Sequence, residues 1–127
     1  MNLFYSLYGG LKMKLTKENF QKLDQIHLSL ENRHSMSEII AILSESYIEI
    51  TQNGVVKDFS YYKSLTTLGN SSLEIMDYDI KILDETKVLS YYKLKNTSEN
   101  SYTMRSNVWI IENGSWKLTF HQGTKIV

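Results

Sequence analysis

The chain has no cysteine, no proline and no excess of either charge. Without cysteine there is no disulfide, no thiol nucleophile and no Cys-ligated zinc. Average usage would place about six prolines in a chain of this length, so its loops must turn on Gly, Asn, Asp and Ser. Fourteen Lys and Arg balance fourteen Asp and Glu. That balance argues against a general nucleic-acid binder, whose affinity comes from cations set against phosphates, and against a polybasic membrane surface. No apolar run reaches the roughly 18 residues a spanning helix needs. What is present is 127 residues, 42% of them hydrophobic, enough for one domain with a core and too apolar for a disordered chain. Nine tyrosines and two tryptophans suit sheet surfaces, pocket walls and interfaces alike, because each sets a polar tip on a large apolar body.

Residues 1–12 read MNLFYSLYGGLK. They lack a basic n-region, and Gly9-Gly10 interrupt the apolar stretch, so they make a poor signal peptide. They are expected to be a leader or disordered segment, or an edge strand, ahead of a single domain over 13–127. Met13 is an alternative start, and a cytoplasmic protein is expected.

Thr16 is a candidate N-cap. Phe20, Leu23, Ile26 (or His27) and Leu30 then recur at helical spacing, which predicts a helix of about five turns. Ser35 or Ser37 opens a second, shorter helix carrying Ile39, Ile40 and Leu43. The period then changes. Tyr47–Thr51 is β-rich with Tyr47, Glu49 and Thr51 on one face, and Asn53-Gly54 is a strong hairpin signal. Asp58 or Ser60 caps a third helix carrying Tyr61, Tyr62, Leu65 and Leu68, ended by Gly69-Asn70. Four strands follow, over 73–83, 88–95, 102–111 and 115–122, with a phase slip at Ile75-Met76 that predicts a bulge. Short turns between consecutive strands make an antiparallel meander. Helices first and a meander after predict an α+β fold with the helices on one face of a strongly bent antiparallel sheet.

The stretch Met104-Arg105-Ser106-Asn107-Val108-Trp109, then Asn113-Gly114-Ser115-Trp116, then Phe120-His121-Gln122-Gly123-Thr124 resembles the C-terminal signature of an uncharacterised family in the nuclear transport factor 2-like superfamily. That superfamily also holds SnoaL-like cyclases and ketosteroid isomerases. The family pattern has Ser where this chain has Asn107. Tyr47-Ile48-Glu49-Ile50 before Asn53-Gly54 is similar to the family's aromatic-x-Glu hairpin. The resemblance implies a cone-shaped, cystatin-like α+β fold, often dimeric, with a central cavity. It does not imply one chemistry, since fold does not fix function.

Arg105 and Trp109 are four apart in a strand and share a face with Thr103 and Asn107. Arg105 is therefore a candidate for binding an anionic ligand beside Trp109; the alternative is an Arg105–Glu49 ion pair with Trp109 at a dimer interface. His121 is a candidate acid or base; the alternative is that it ties down the last strand, with Gly123 in a terminal turn. Simple alternation puts His121 with Lys117 and Thr119, opposite Trp116 and Leu118. Glu49 is the other candidate catalytic residue. Tyr61 completes the expected pocket set of Arg105, Trp109, Glu49, His121 and Tyr61. His27 and His34 lie roughly 10 Å apart along a helix at 1.5 Å per residue, too far to share a zinc ion, so a solvated face is expected there. No metal or cofactor is expected.

The leading expectation is a small-molecule-binding pocket protein of unknown ligand, with metal-free acid–base chemistry as the natural class if it turns a substrate over. The alternatives are a cytoplasmic immunity protein that neutralises a toxin, with tyrosines as anchors, and a structural homodimer with a vestigial cavity.

Overall fold

The structure, a computed structural model, describes residues 5–8 and 11–126. Of the expected leader, residues 1–4 and 9–10 lie outside the described residues. The rest contributes to a small separate sheet, in which β1 (Tyr5–Tyr8) pairs antiparallel with β2 (Leu11–Lys14). Thr16 then caps α1 (Lys17–Leu28), its hydroxyl accepting the Asn19 N–H at 3.3 Å. The helix is shorter than expected because Ser29 leaves helical geometry, with ψ at 129°, before the single turn α2 (Leu30–Arg33). Met36 precedes α3 (Ser37–Ile42) as its N-cap residue.

The chain next forms β3 (Leu43–Ile50), which hairpins through Asn53-Gly54 to β4 (Val56–Asp58), with Gly54 at φ 79°. The Asp58 carboxylate accepts the Tyr61 N–H at 2.9 Å and so caps α4 (Phe59–Lys63). The meander is β5 (Leu73–Asp84), β6 (Lys87–Asn96), β7 (Ser101–Glu112) and β8 (Ser115–Lys125). Strand order is β4-β3-β8-β7-β6-β5. The sheet is mixed, because β3 lies parallel to β8 and covers what would otherwise be an open edge.

Two of the sheet's register shifts decide which residues face inward. On β5, Met76 pairs with Lys93 and Asp79 with Tyr91, so two residues oppose one. Asp77 takes the left-handed conformation there, at φ 52°, and Tyr78, Ile80 and Ile82 turn toward the core. The slip lies a residue or two beyond its expected place. On β8, Val108 pairs with Phe120 but Trp109 pairs with Leu118, which leaves Thr119 as the extra residue. That extra residue inverts the alternation. His121 and Gly123 therefore join Trp116 and Leu118 on the buried face, contrary to simple alternation. Gly123 lies within β8 rather than in a terminal turn.

The helices pack on the concave side. Phe20, Leu23, Ile39 and Ile42 meet Tyr47, Val88, Trp109, Trp116 and Leu118 in one cluster, with the Phe20 and Trp116 rings edge to face at 5.0 Å. Burying a side chain of this size contributes about 1.5–3 kcal/mol. This core fills one end of the cone and leaves the other hollow. No helix among the described residues is long and apolar enough to cross a membrane.

Candidate functional site

The hollow end is a cavity of about 320 Å³. Its walls come from α1 (His27, Leu28), α2 (Arg33), β3 (Tyr47, Glu49), α4 (Tyr62), β7 (Thr103, Arg105) and β8 (Leu118, His121). Leu68, Leu73 and Leu94 add apolar surface, while Asn96 at the end of β6, Glu99 in the following turn and Ser101 at the start of β7 add polar groups.

Beneath the cavity floor lies a buried carboxylate. Asp24 sits on the core face of α1, one turn after Phe20, and is 0% exposed. It accepts four hydrogen bonds: Tyr78 OH at 2.5 Å, Ser90 Oγ at 2.7 Å, and Asn107 Nδ2 and Trp109 Nε1 at 2.8 Å each. Burial raises its pKa to about 6, and the four donors pull the other way. Four donors converge on the four lone-pair sites a carboxylate offers, which offsets the cost of desolvating it.

A directed chain of hydrogen bonds runs from Asp24 to the cavity. The Asn107 amide N–H₂ donates to Asp24 and, at 3.2 Å, to Tyr92 OH, so its carbonyl oxygen points the other way. That oxygen meets His121 Nδ1. His121 Nε2 is 3.0 Å from Arg105 Nη1. A guanidinium only donates, so Nε2 accepts, and the proton of the ring sits on Nδ1, where it donates to Asn107. His121 is 4% exposed. Its pKa is held well below the ordinary histidine value, first by burial, then by Arg105 and His27. Arg105 Nε also donates to Thr103 Oγ1 at 2.8 Å.

Glycine completes the arrangement. Gly123 is the cross-strand partner of Arg105, and a Cβ there would stand 3.1 Å from Arg105 Nε and 3.2 Å from Cδ. The arginine side chain lies across the space this residue leaves open.

On the cavity side two guanidinium groups, Arg33 and Arg105, share the lining with two carboxylates, Glu49 and Glu99. Among the described residues, the ion pairs within 4 Å are Lys17–Asp79 and Lys87–Asp84, so neither Arg105 nor Arg33 pairs with a carboxylate. Arg33 Nη2 donates to Leu68 O at 2.9 Å, while its Nε is buried without a partner. Burial and Arg105 push the Arg33 pKa down. Both ring nitrogens of His27 are shielded and unpartnered among the described residues, and that ring packs edge-on to His121 at 5.8 Å. Burial, then Arg105 and Arg33, lower the His27 pKa to about 3. Tyr47 OH donates to Glu49 at 2.7 Å, and the Glu49 carboxylate acts as a nearby negative charge on both Tyr62 and Arg33. Both phenols are consequently pushed up, with burial the larger cause.

Of the five residues expected at a pocket, Arg105, Glu49 and His121 line this cavity. Trp109 does not: it shares the inward face of Arg105 but is 0% exposed, one layer below, bound to Asp24. Nor does Tyr61, which is 39% exposed and borders a shallow outer depression with Ile48, Val55 and Val56. Its neighbour Tyr62 is the inward one, because helical geometry turns adjacent residues about 100° apart. The Arg105–Glu49 ion pair is absent. His27 is not on a solvated face, whereas His34 is exposed and meets Asn70 at 2.8 Å. Asp24 belongs to no motif in the sequence, although a carboxylate four residues after Phe20, beside Leu23, sets a polar group on the apolar stripe. Among the described residues no three His, Asp or Glu side chains are grouped to hold a metal ion.

No protein-family model and no curated protein matches the sequence. Solved structures do. A nuclear transport factor 2-like protein from Cytophaga hutchinsonii superposes at TM-score 0.70 and 17% identity, covering 90% of this chain and all of that one. A domain of unknown function with a cystatin-like fold from Nostoc punctiforme gives 0.69 at 14%, covering 91% and 80%. The association domain of Caenorhabditis elegans CaMKII gives 0.62 at 13%, covering 87% and 98%. At these identities the likeness establishes the fold, which is nuclear transport factor 2-like.

Proposed function

We propose that this chain is a small-molecule-binding protein whose cavity receives an organic anion. The observation that carries the reading is the pair of guanidinium groups, Arg33 and Arg105, that line one cavity with no carboxylate in ion-pair reach among the described residues. A half-buried cation without an opposite charge is costly, and an anionic ligand offsets that cost with charge-assisted hydrogen bonds. The leucines favour an apolar body behind the anionic group. The cavity volume equals roughly ten waters at about 30 Å³ each in the liquid, which suits a compact acid.

Binding rather than turnover is the favoured reading. His121 has both nitrogens engaged, so it holds Arg105 in place and has no lone pair to take a substrate proton. Glu49 keeps carboxylate lone pairs and is the acid–base candidate that remains.

The test is calorimetric titration with benzoate and with its neutral isostere benzamide. Benzoate is expected to bind and benzamide to bind at least tenfold more weakly, with the preference lost in Arg105→Gln. Equal affinity for the two probes, or binding of neither, contradicts the reading.

One observation supports self-association as well. Leu89, Val108, Phe120 and Ile48 lie in register across β6, β7, β8 and β3 on the outer face, and Ile48, Tyr91 and Met104 are exposed there. Such a row suits a homodimer interface. Light scattering on the eluting protein tests it: a dimer mass is expected, reverting to monomer in Val108→Lys, and a monomer mass for the unsubstituted chain contradicts it.

A further inference from the structure

We propose that the cavity takes up its organic anion together with a proton, and that His27 is the group that receives it. This rests on the anion-binding reading and adds a linkage to it. The geometry singles out His27. Its two ring nitrogens are buried against the cavity and neither has a protein partner among the described residues. One N–H therefore lacks an acceptor and one lone pair lacks a donor, and a buried polar group left so is costly. A ligand oxygen held by Arg33 and Arg105 supplies the missing acceptor.

The titratable groups sharing the cavity are Arg33 from α2, Tyr47 and Glu49 from β3, Tyr62 from α4, Glu99 before β7, Arg105 from β7 and His121 from β8. On α1 itself, Asp24 lies below and Glu31 is exposed. Without a bound anion, burial first and then Arg105 and Arg33 keep the His27 ring neutral, with its pKa at about 3. A bound anion reverses the sign of the nearest charge and raises that pKa by about 3 units, the upper end of what an opposite charge in contact produces. The other groups are poor recipients. His121 accepts from Arg105 and donates to Asn107. The phenols of Tyr47 and Tyr62 already carry their protons. Glu49 already has the Tyr47 phenol donating to it.

The experiment uses benzenesulfonate, which stays anionic across the range, so that any proton taken up belongs to the protein. Its affinity is measured calorimetrically from pH 7 to pH 5 on the full chain, in two buffers of different ionisation enthalpy. The unsubstituted protein is expected to bind at least threefold tighter at pH 5 than at pH 7, with net proton uptake, and His27→Gln is expected to show neither. The imidazole Cε1–H resonance of His27 in the unsubstituted protein gives the same answer without a variant: at pH 5 it moves toward the imidazolium position when the anion is added. Binding with no pH dependence and an unmoved resonance overturns the linkage while leaving the anion site standing. Proton uptake that survives in His27→Gln and vanishes in Glu49→Gln overturns the assignment to His27. No binding at any pH overturns the reading beneath both.

Discussion

Gly123 and Arg105 face each other across β7 and β8, and a methyl group on the glycine would stand 3.1 Å from the guanidinium Nε. The glycine is extended rather than left-handed, so alanine fits its backbone and the conflict falls on the arginine alone. Gly123→Ala is expected to keep the fold and to weaken benzoate binding by roughly tenfold, the scale of one charge-assisted hydrogen bond. Calorimetry together with an unchanged circular dichroism spectrum checks this. Unaltered affinity would mean that the position of Arg105 does not matter to the ligand.

Asp24→Asn converts two of four acceptor positions into an N–H₂ group that meets donors. Two donors then stay buried and unsatisfied, at about 1–3 kcal/mol each. A loss of about 2–5 kcal/mol is expected in urea denaturation at an unchanged slope. A loss below about 1 kcal/mol would show that the carboxylate is not the hub its four hydrogen bonds indicate.

Acid is expected to destabilise the protein below pH 6.5. His27 and His121 have folded pKa values beneath their unfolded value of about 6.5. The unfolded chain therefore binds more protons, and each histidine removes about 1 kcal/mol per pH unit as pH falls through this window. Asp24 has the opposite sign: its folded value of about 6 lies above the unfolded 3.8, so between pH 6 and 4 the folded chain binds more protons and gains stability as pH falls. Two histidines outweigh one aspartate, and the net slope is about 1 kcal/mol per pH unit. Urea midpoints at pH 7, 6 and 5 measure it. A midpoint that rises toward pH 5 would contradict the neutral, buried histidines.

Trp109→Phe removes one donor to Asp24 and keeps the aromatic packing. A loss of about 1–3 kcal/mol is expected, with benzoate affinity changed less than threefold because Trp109 does not line the cavity. A large affinity loss in a stable variant would restore Trp109 to the ligand's surroundings.

Elements whose signals are local were legible before any coordinates. Thr16 and Asp58 cap where hydroxyl and carboxylate chemistry says they will, and Asn53-Gly54 turns the first hairpin. Alternation groups Thr103, Arg105, Asn107 and Trp109 on one face of β7 and leaves open which face turns inward; the burial of Thr103, Asn107 and Trp109 decides it. His121 was put on the wrong face because one extra residue, Thr119, reverses the alternation, and no local preference marks Thr119 as a bulge. His27 was put in solvent because its surroundings come from α2, β7 and β8, far away in the chain. Asp24 carried a local sign, a carboxylate on an apolar stripe. Its partners, 54 to 85 residues downstream, are visible only once the sheet has closed over the helix.

The central claim is that an anion sits between Arg33 and Arg105, and the Nε–Hε resonances of the two arginines report on it directly. Benzoate added to ¹⁵N-labelled protein is expected to shift both signals, with saturation and with one common affinity, while benzamide leaves them unmoved. Saturable shifts confined to surface lysines, or arginine signals that ignore benzoate altogether, would contradict the claim.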